Sequence, residues 1–555
     1  MHRFIVYRSI LLIVFFASLA RGQVVINGIV CDMENTPIPD VAVVVDSLST
    51  IFYTDSTGRY TIEELSEELL QGVHTLYFFK FGWLGIKKEI NIISGKFQLD
   101  TVRINFGDIN KDGIIDLRDV ALIHDVVGDS VSNRTRYMDN NANGIIDEND
   151  ESKVISAVET QGFQCPEWLI SKPDYVTFVP SLVKPEYGTN QHYLMTKLNS
   201  GRLLGIWTGG KKENIDQSIL FHYSDDGGKT WSIPQVLDGP MFDGYNSSWG
   251  FPIYIPAKNR IYVFFNKDNG TKIYHSGDLW CRYSDDEGLT WSKAYKYKIP
   301  RGKYSPVDTN QAMSWWIYQS PMQFGEHIMV GFTEIWLKEG GISYASEVRF
   351  IVFDNIQTVT DPEKISIRVL PITEKGLRIP FGNDTLRSVC QEPSLVQLSD
   401  GRLFCVVRTV YGSPYYFIST DTGKSWSSGR PLRLGDGKDL VKQPVASCPI
   451  YEVSEGNFVL IFHNNSGDAN GGKFNEDYLL NRTPSYILRG YEDVNKNQPI
   501  SFYPPQLLLE NYVRPFGPEN RTEIATYPSI TDHGDSFVLW YPDRKHFLLG
   551  KIIHK

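Results

Sequence analysis

The sequence predicts a mainly β protein built from several modules, and three observations carry that expectation. Aromatic residues make up 13% of the 555, against 8 methionines, which favours pleated sheets over helices. A motif of the form Ser-x-Asp-x-Gly-x-Thr/Ser-Trp occurs three times, beginning at Ser224, Ser284 and Ser419. Between residues 105 and 160 the character changes to two loops dense in Asp, Asn and Gly, with a helix-like pattern after them. A chain of this length exceeds what one hydrophobic core usually organises, so two to four domains are expected. The net charge is −10 and no Lys/Arg-rich run is present. That argues against nucleic acid as a partner, because binding phosphate needs a concentrated basic face.

Residues 1–22 read as a secretory signal peptide: Arg3 and Arg8 precede the apolar run Ile10–Leu19, and Ala20 and Gly22 supply small residues at a cleavage point. The run is too short for a comfortable membrane span, so the expected location is extracellular or periplasmic. Six cysteines (Cys31, Cys165, Cys281, Cys390, Cys405 and Cys448) show no CxxC or Cys/His spacing, so zinc is not suggested. Cys390 and Cys405 flank two apolar strand patterns; they either pair or serve as small core residues, and the second reading is preferred.

Residues 23–104 alternate apolar and polar positions in short runs, as in Val24–Val30, Val41–Val45 and Tyr60–Ile62. Thr54–Gly58 is a hairpin signal, and the whole predicts a small antiparallel sandwich. Gly28-x-Val30-x-Asp32, Pro37–Val41 and Thr54-Asp55-x-x-Gly58-x-Tyr60 resemble the carboxypeptidase-regulatory-like domain, which implies an accessory module without catalysis.

Residues 105–164 carry calcium chemistry. Asp108, Asn110, Asp112, Asp116 and Asp119 stand at positions 1, 3, 5, 9 and 12 of one loop, and Asp139, Asn141, Asn143, Asp147 and Asp150 at those of a second. Gly113 and Gly144 sit at position 6 for the sharp turn, and the carbonyls of Ile114 and Ile145 complete each set. Two structural Ca²⁺ sites are expected, with no cofactor for catalysis. A helix is expected over Val120–Val127. The paired loop–helix units are EF-hand-like and resemble a dockerin, which implies a cohesin-like partner. Leu117-Arg118 and Glu148-Asn149 replace the Ser/Thr pair of cellulosomal type I dockerins, which favours a calcium-stiffened linker over cohesin docking.

In residues 165–555 each Ser-x-Asp-x-Gly motif follows a strand-like run and predicts a tight hairpin. Ser and Asp side chains bond backbone N–H groups, Gly takes the positive φ, and Trp packs beneath. Recurrence of such hairpins predicts radial repetition, a β-propeller. The motif is the Asp box, and on it this span resembles the sialidase family. The resemblance implies a six-bladed propeller whose boxes lie away from the catalytic face.

The resemblance also implies site residues. Glu392, in Gln391-Glu392-Pro393, matches the glutamate that activates the nucleophile, and Arg408 and Arg482 match arginines that hold a substrate carboxylate. Tyr527 matches the nucleophile, with Glu523 a second candidate partner. A neutral phenol suits this chemistry, because it avoids the repulsion that a carboxylate nucleophile would meet at a carbon bearing an acid. Gln191 stands where a further arginine is expected, and the acid/base residue falls in the loop holding Glu213 and Asp216. The function expected is release of a terminal acidic sugar from glycans. The alternatives are another propeller enzyme, such as a polysaccharide lyase, and a non-catalytic module presenting Trp249, Trp315 and Trp316 to glycans.

Overall fold

Strict alternation of buried and half-exposed residues along Val24–Val30 puts one face of the first strand, Gln23–Cys31, into a core. That strand lies between Arg59–Ser66, antiparallel, and Lys96–Gln98, parallel. A second sheet orders Ile51–Tyr53, Ala42–Val45, Gly72–Phe79 and Ile86–Ile92. The computed structural model describes residues 23–66, 72–92, 95–132, 134–180, 187–270, 275–303, 305, 313–336, 345–371, 375–381, 384–472 and 478–555. The signal-like segment 1–22 lies outside them. Among the described residues no helix is long and apolar enough to cross a membrane.

Gly28 faces Tyr60 across the first sheet, where a Cβ would come within 2.3 Å of the phenol oxygen. The Thr54–Gly58 turn is tight, with Asp55 Oδ1 accepting from the N–H groups of Thr57 and Arg59. The hairpin expected there does not form. Ile51–Tyr53 and Arg59–Ser66 join different sheets, because the turn is a corner of the sandwich.

The helices that follow the two oxygen-rich loops are Leu117–His124 and Glu148–Ser156. The first begins three residues before the run expected from sequence, because Asp116 caps it. Each helix has a full capping box, Asp116 with Asp119 and Asp147 with Asp150. Ile109, Ile115, Ile123, Ile146 and Val154 belong to the same buried cluster as Val24, Val43, Ile62 and Phe78. Sandwich and loop–helix unit therefore share one core.

The remaining strands form sheets arranged in a ring. Tyr175–Phe178 pairs with Phe547–His554 near the C-terminus, so strands from the two ends of the ring segment close one sheet. Next comes the sheet Thr189–Lys197, Leu203–Gly210, Ser218–Ser224 and Gln235–Asp238. A nine-stranded sheet follows, in which Ser276–Ser284 pairs with both Arg260–Lys267 and Met313–Trp316. Sheets built on Gln391–Gln397 and Ile450–Ser454 complete the ring. Second strands such as Leu203–Gly210 and Leu403–Arg408 are buried throughout, as stacking of sheets on both faces demands.

The three repeated motifs form the expected turns. In the first, Gly228 N–H donates to Ser224 Oγ at 2.8 Å, and Asp226 accepts from Thr230 N–H at 2.9 Å and from its hydroxyl at 2.6 Å. The same bonds recur around Asp286 and Asp421. The tryptophans wedge onto the preceding sheet: Trp231 on Trp540, Trp291 on Phe221 and Trp426 on Phe350. All six cysteines are buried and free, so Cys390 and Cys405 are core residues.

At the junction of all three parts Lys111 is buried, its ammonium 3.6 Å from the Phe81 ring centre and 4.7 Å from that of Tyr137. Phe81 stacks on Tyr512 of the ring, and Glu167 binds both Arg514 and Arg544.

Candidate functional site

Four inner strands of the ring carry, within or just before their first residues, a residue in the left-handed region: His192 (φ 61°), Trp249 (φ 56°), Glu392 (φ 53°) and Tyr527 (φ 64°). None is glycine, so each conformation carries a cost that the surroundings must enforce. Register shifts accompany three of them, at Gln191/Leu194, Ser248/Phe251 and Gln391/Ser394. A hydroxyl holds three of the strained N–H groups: Thr208 for Trp249 at 2.8 Å, Thr333 for Glu392 at 2.7 Å and Ser447 for Tyr527 at 3.3 Å. A repeated bulge thus gathers these side chains at one end of the ring.

The Asp boxes occupy the other end. Ser224 opposes Leu203, whereas Gln191 opposes Thr208 near the far end of the same strand. Likewise Ser419 opposes Leu403, and Arg408 opposes Gln391.

Tyr527 donates its hydroxyl to Glu392 Oε1 at 2.9 Å. Arg408 Nη1 sits 2.6 Å from the same oxygen, while its Nε and Nη2 donate to Gln391 Oε1. Glu392 Oε2 is buried without a hydrogen-bond partner. Burial, then the Glu392 charge, push the Tyr527 phenol well above its ordinary range against the opposing pull of Arg408 and Arg482. Trp249 meets the Tyr527 ring edge-on at 5.4 Å, and Tyr318 packs at 5.8 Å.

A second set of charges adjoins it. Arg482 gives Nε and Nη2 to the Val445 carbonyl and holds Nη1 3.5 Å from Glu523. Lys545 bridges Glu523 at 3.3 Å and Glu213 at 3.0 Å, and its ammonium lies 5.8 Å from the Tyr527 ring centre. Arg521 contacts Glu213 at 3.0 Å and Glu519 at 3.5 Å. Burial alone would raise the Glu213 carboxyl, but Lys545 and Arg521 outweigh it and hold that group at about 2. Glu523 is likewise held below its usual range, against burial, by Lys545, Arg482 and Arg521.

Several sequence expectations need correction. Glu213 is paired with Lys545 and Arg521, whereas Asp216 is exposed and lines a cavity of about 680 Å³ with Lys211, Met241 and His546. None of Trp249, Trp315 and Trp316 is presented to solvent. Trp315 lies in the sheet core with its indole N–H on the Gly277 carbonyl, and Trp249 and Trp316 pack into the cluster around Tyr527. Lys545 and Arg521 were not anticipated. The one signal for Lys545 is the charged turn Asp543-Arg544-Lys545-His546 between two apolar strands.

The oxygen-rich loops have the donors that a hard cation uses. Asp108 is buried with Oδ1 unpartnered, and its carboxyl is raised to about 7 by burial and by the neighbouring Asp119. Asp119 accepts from the N–H groups of Ile109, Asn110 and Asp116, and Asp150 from those of Asn140 and Asp147, which curls each loop around its own carboxylates. Among the described residues no three His, Cys, Asp or Glu side chains cluster as a metal site. The set depends also on asparagine and carbonyl oxygens, which are calcium's usual partners.

A family model described as BNR repeat-like domain matches residues 201–538. Among solved structures, the Hadza microbial sialidase Hz136 is 12% identical with a TM-score of 0.47, over 67% of this chain and 66% of that one. The NanB sialidase from Streptococcus pneumoniae is 11% identical with a TM-score of 0.48, over 93% and 95%. The intramolecular trans-sialidase from Ruminococcus gnavus is 14% identical with a TM-score of 0.45, over 68% and 96%. No curated protein matches the chain.

Proposed function

Because this chain belongs to the BNR repeat-like domain family, we propose that it is a sialidase-like glycoside hydrolase acting through Tyr527 and Glu392. One observation carries the reading: the buried phenol donates to a carboxylate at 2.9 Å, both on strained strand heads. In this mechanism the phenolic oxygen attacks the anomeric carbon while Glu392 takes its proton. The glycosidic C–O bond breaks as the leaving oxygen is protonated, a role we assign to Asp216 on the rim loop. Water then releases the sugar from the tyrosine. The high phenol pKa keeps the nucleophile neutral until the bond forms. Arg408 fixes Glu392, and Arg482 fixes Glu523 beside it.

A glycan panel digested by the full chain and read by mass spectrometry tests this. A monosaccharide released by the wild type and not by Tyr527→Phe supports the proposal. Equal release by both would sink it, and an unsaturated product would indicate a lyase.

We further propose residues 23–104, 105–164 and 165–555 as three modules, with the nine-stranded sheet read as two merged blades of a six-bladed propeller. Export follows if residues 1–22 act as a signal. Asp108, Asn110, Asp112, Asp116, Asp119 and the Ile114 carbonyl would hold one Ca²⁺. Asp139, Asn141, Asn143, Asp147, Asp150 and the Ile145 carbonyl would hold another. Such an ion supplies the positive charge these loops need. The shared core favours a rigid strut; exposed Leu117, Leu122 and Ile155 on the helices support a second reading, a cohesin-like partner.

A further inference from the structure

Another cavity, sharing no residue with the cluster around Tyr527, opens along the sheet built on Gln391–Gln397. It measures about 700 Å³ and is lined by the rings of Tyr411, Tyr415 and Trp426 and by Lys375, Arg378 and Lys424. That volume is in the usual range for ligand sites. Its mouth is in solvent: Lys375, Tyr411, Lys424 and Ser428 are all exposed.

The rings are held in place by the fold. Tyr411 is 42% exposed, yet its hydroxyl donates to the Pro380 carbonyl at 2.6 Å and its ring lies 5.9 Å from that of Tyr415. Thr409 closes the turn beneath it, accepting from the Tyr411 N–H at 3.1 Å and donating to the Ser413 carbonyl at 2.6 Å. Trp426 is half-buried, stacked on Phe350 at 4.8 Å with its indole N–H on the Gly423 carbonyl. Gly429 lets Ile379 and Phe417 close the floor, since a Cβ there would come within 2.4 Å of one and 2.8 Å of the other. Rings fixed before a ligand arrives cost little to order on binding. A pyranose packs its C–H face on such a ring and turns its polar groups to the sides.

Those sides are positive. No Asp or Glu stands among the lining residues, although the chain as a whole carries −10. The acids close by are engaged elsewhere. Asp421 accepts from the Ser425 N–H and hydroxyl, and Glu347, which feels the Arg378 charge, accepts from the Gly376 N–H at 2.9 Å. A basic cleft on an acidic protein selects for an anionic ligand.

From cavity, rings and charge together, we propose that this cleft is a non-catalytic binding site for a carboxylate-bearing oligosaccharide. Its sugar faces lie on Tyr411 and Trp426, and its carboxylates meet Lys375, Arg378 and Lys424. The turn 409–414 runs from Arg408, which holds Glu392, to Tyr415 in the cleft, so one hairpin serves both places. The site does not depend on Tyr527 acting as a nucleophile.

Calorimetry on the full chain tests this with three probes: a hyaluronan hexasaccharide, neutral cellohexaose and a hexaglutamate peptide. Hyaluronan binds, and the other two bind more weakly. Tyr411→Ala, checked for an unchanged melting temperature, weakens hyaluronan about tenfold, as loss of one stacking ring does. Lys424→Glu, at an exposed position that folding tolerates, weakens hyaluronan to a similar degree and leaves cellohexaose unaffected. Tyr527→Phe binds hyaluronan as the wild type does. The proposal is overturned by no binding of hyaluronan, by unchanged affinity in Lys424→Glu, or by equal affinity for the peptide. Loss of binding in Tyr527→Phe would place the probe at the centre of the ring and overturn it as well.

Discussion

Tyr527 hands its phenolic hydrogen to Glu392 across 2.9 Å, although 135 residues of chain separate the two. Each has positive φ at or just before an inner strand, and each backbone N–H is held by a hydroxyl from another part of the ring. Strain of this kind persists where the surrounding packing over-determines a geometry.

Removing the phenolic oxygen removes the nucleophile. Tyr527→Phe abolishes turnover while the far-ultraviolet spectrum stays unchanged. Glu392→Gln still accepts from the tyrosine but takes no proton, so kcat falls on the order of 10²–10⁴-fold. Steady-state rates on the released substrate check both, and an undiminished kcat in either variant contradicts the assignment.

The Glu213 carboxyl has its own pH signature. Its pKa is about 2 in the folded chain, below the 4.5 usual for glutamate, so the stability it contributes is full above 4.5. That contribution is lost as pH falls toward 2. Glu213→Gln leaves Lys545 and Arg521 short of a counter-charge, so it destabilises the protein at neutral pH. Its deficit against the wild type shrinks as the pH is lowered, and thermal midpoints across that range measure the convergence.

Asp226 stabilises without touching the chemistry. It accepts from the Ser224 hydroxyl, the Thr230 N–H and the Thr230 hydroxyl at the end of the sheet opposite Tyr527. Asp226→Ala costs about 1–3 kcal/mol, the usual range for stranded hydrogen-bonding groups. Denaturant unfolding reads the loss, and kcat stays at the wild-type value.

Lys111 ties the first oxygen-rich loop to the aromatic rings of Phe81 and Tyr137. A chelator lowers the melting temperature and opens residues 105–180 to proteolysis. Lys111→Ala removes the side chain packed between the loop and the two rings and reduces the chelator-induced shift. Scanning calorimetry with and without calcium checks both; a melting temperature indifferent to chelation means the loops stabilise nothing through a cation.

Short-range chemistry made much of the molecule legible in advance. The Ser-x-Asp-x-Gly turns and the alternation along Val24–Val30 each close their own bonds within a few residues or repeat with a local period. The Thr54–Gly58 turn marks the limit of that reasoning. Its bonds were foreseeable, but the partners of its flanking strands were not, because sheet membership depends on distant segments.

The sequence by itself determined a mainly β chain with repeated tight turns and two oxygen-rich loops, and its resemblance to sialidases offered Glu392, Arg408, Arg482 and Tyr527 as candidates. Only the tertiary structure decided that Lys545 reaches Glu213 from 332 residues away, and that Glu213 is thereby held as a carboxylate. Only it left Gln191 without a partner and merged the loop–helix unit into the sandwich core. The physical reason is common to all three. Charge pairing, burial and unsatisfied bonds are set by what ring closure and core packing bring together, and no local pattern encodes those distances.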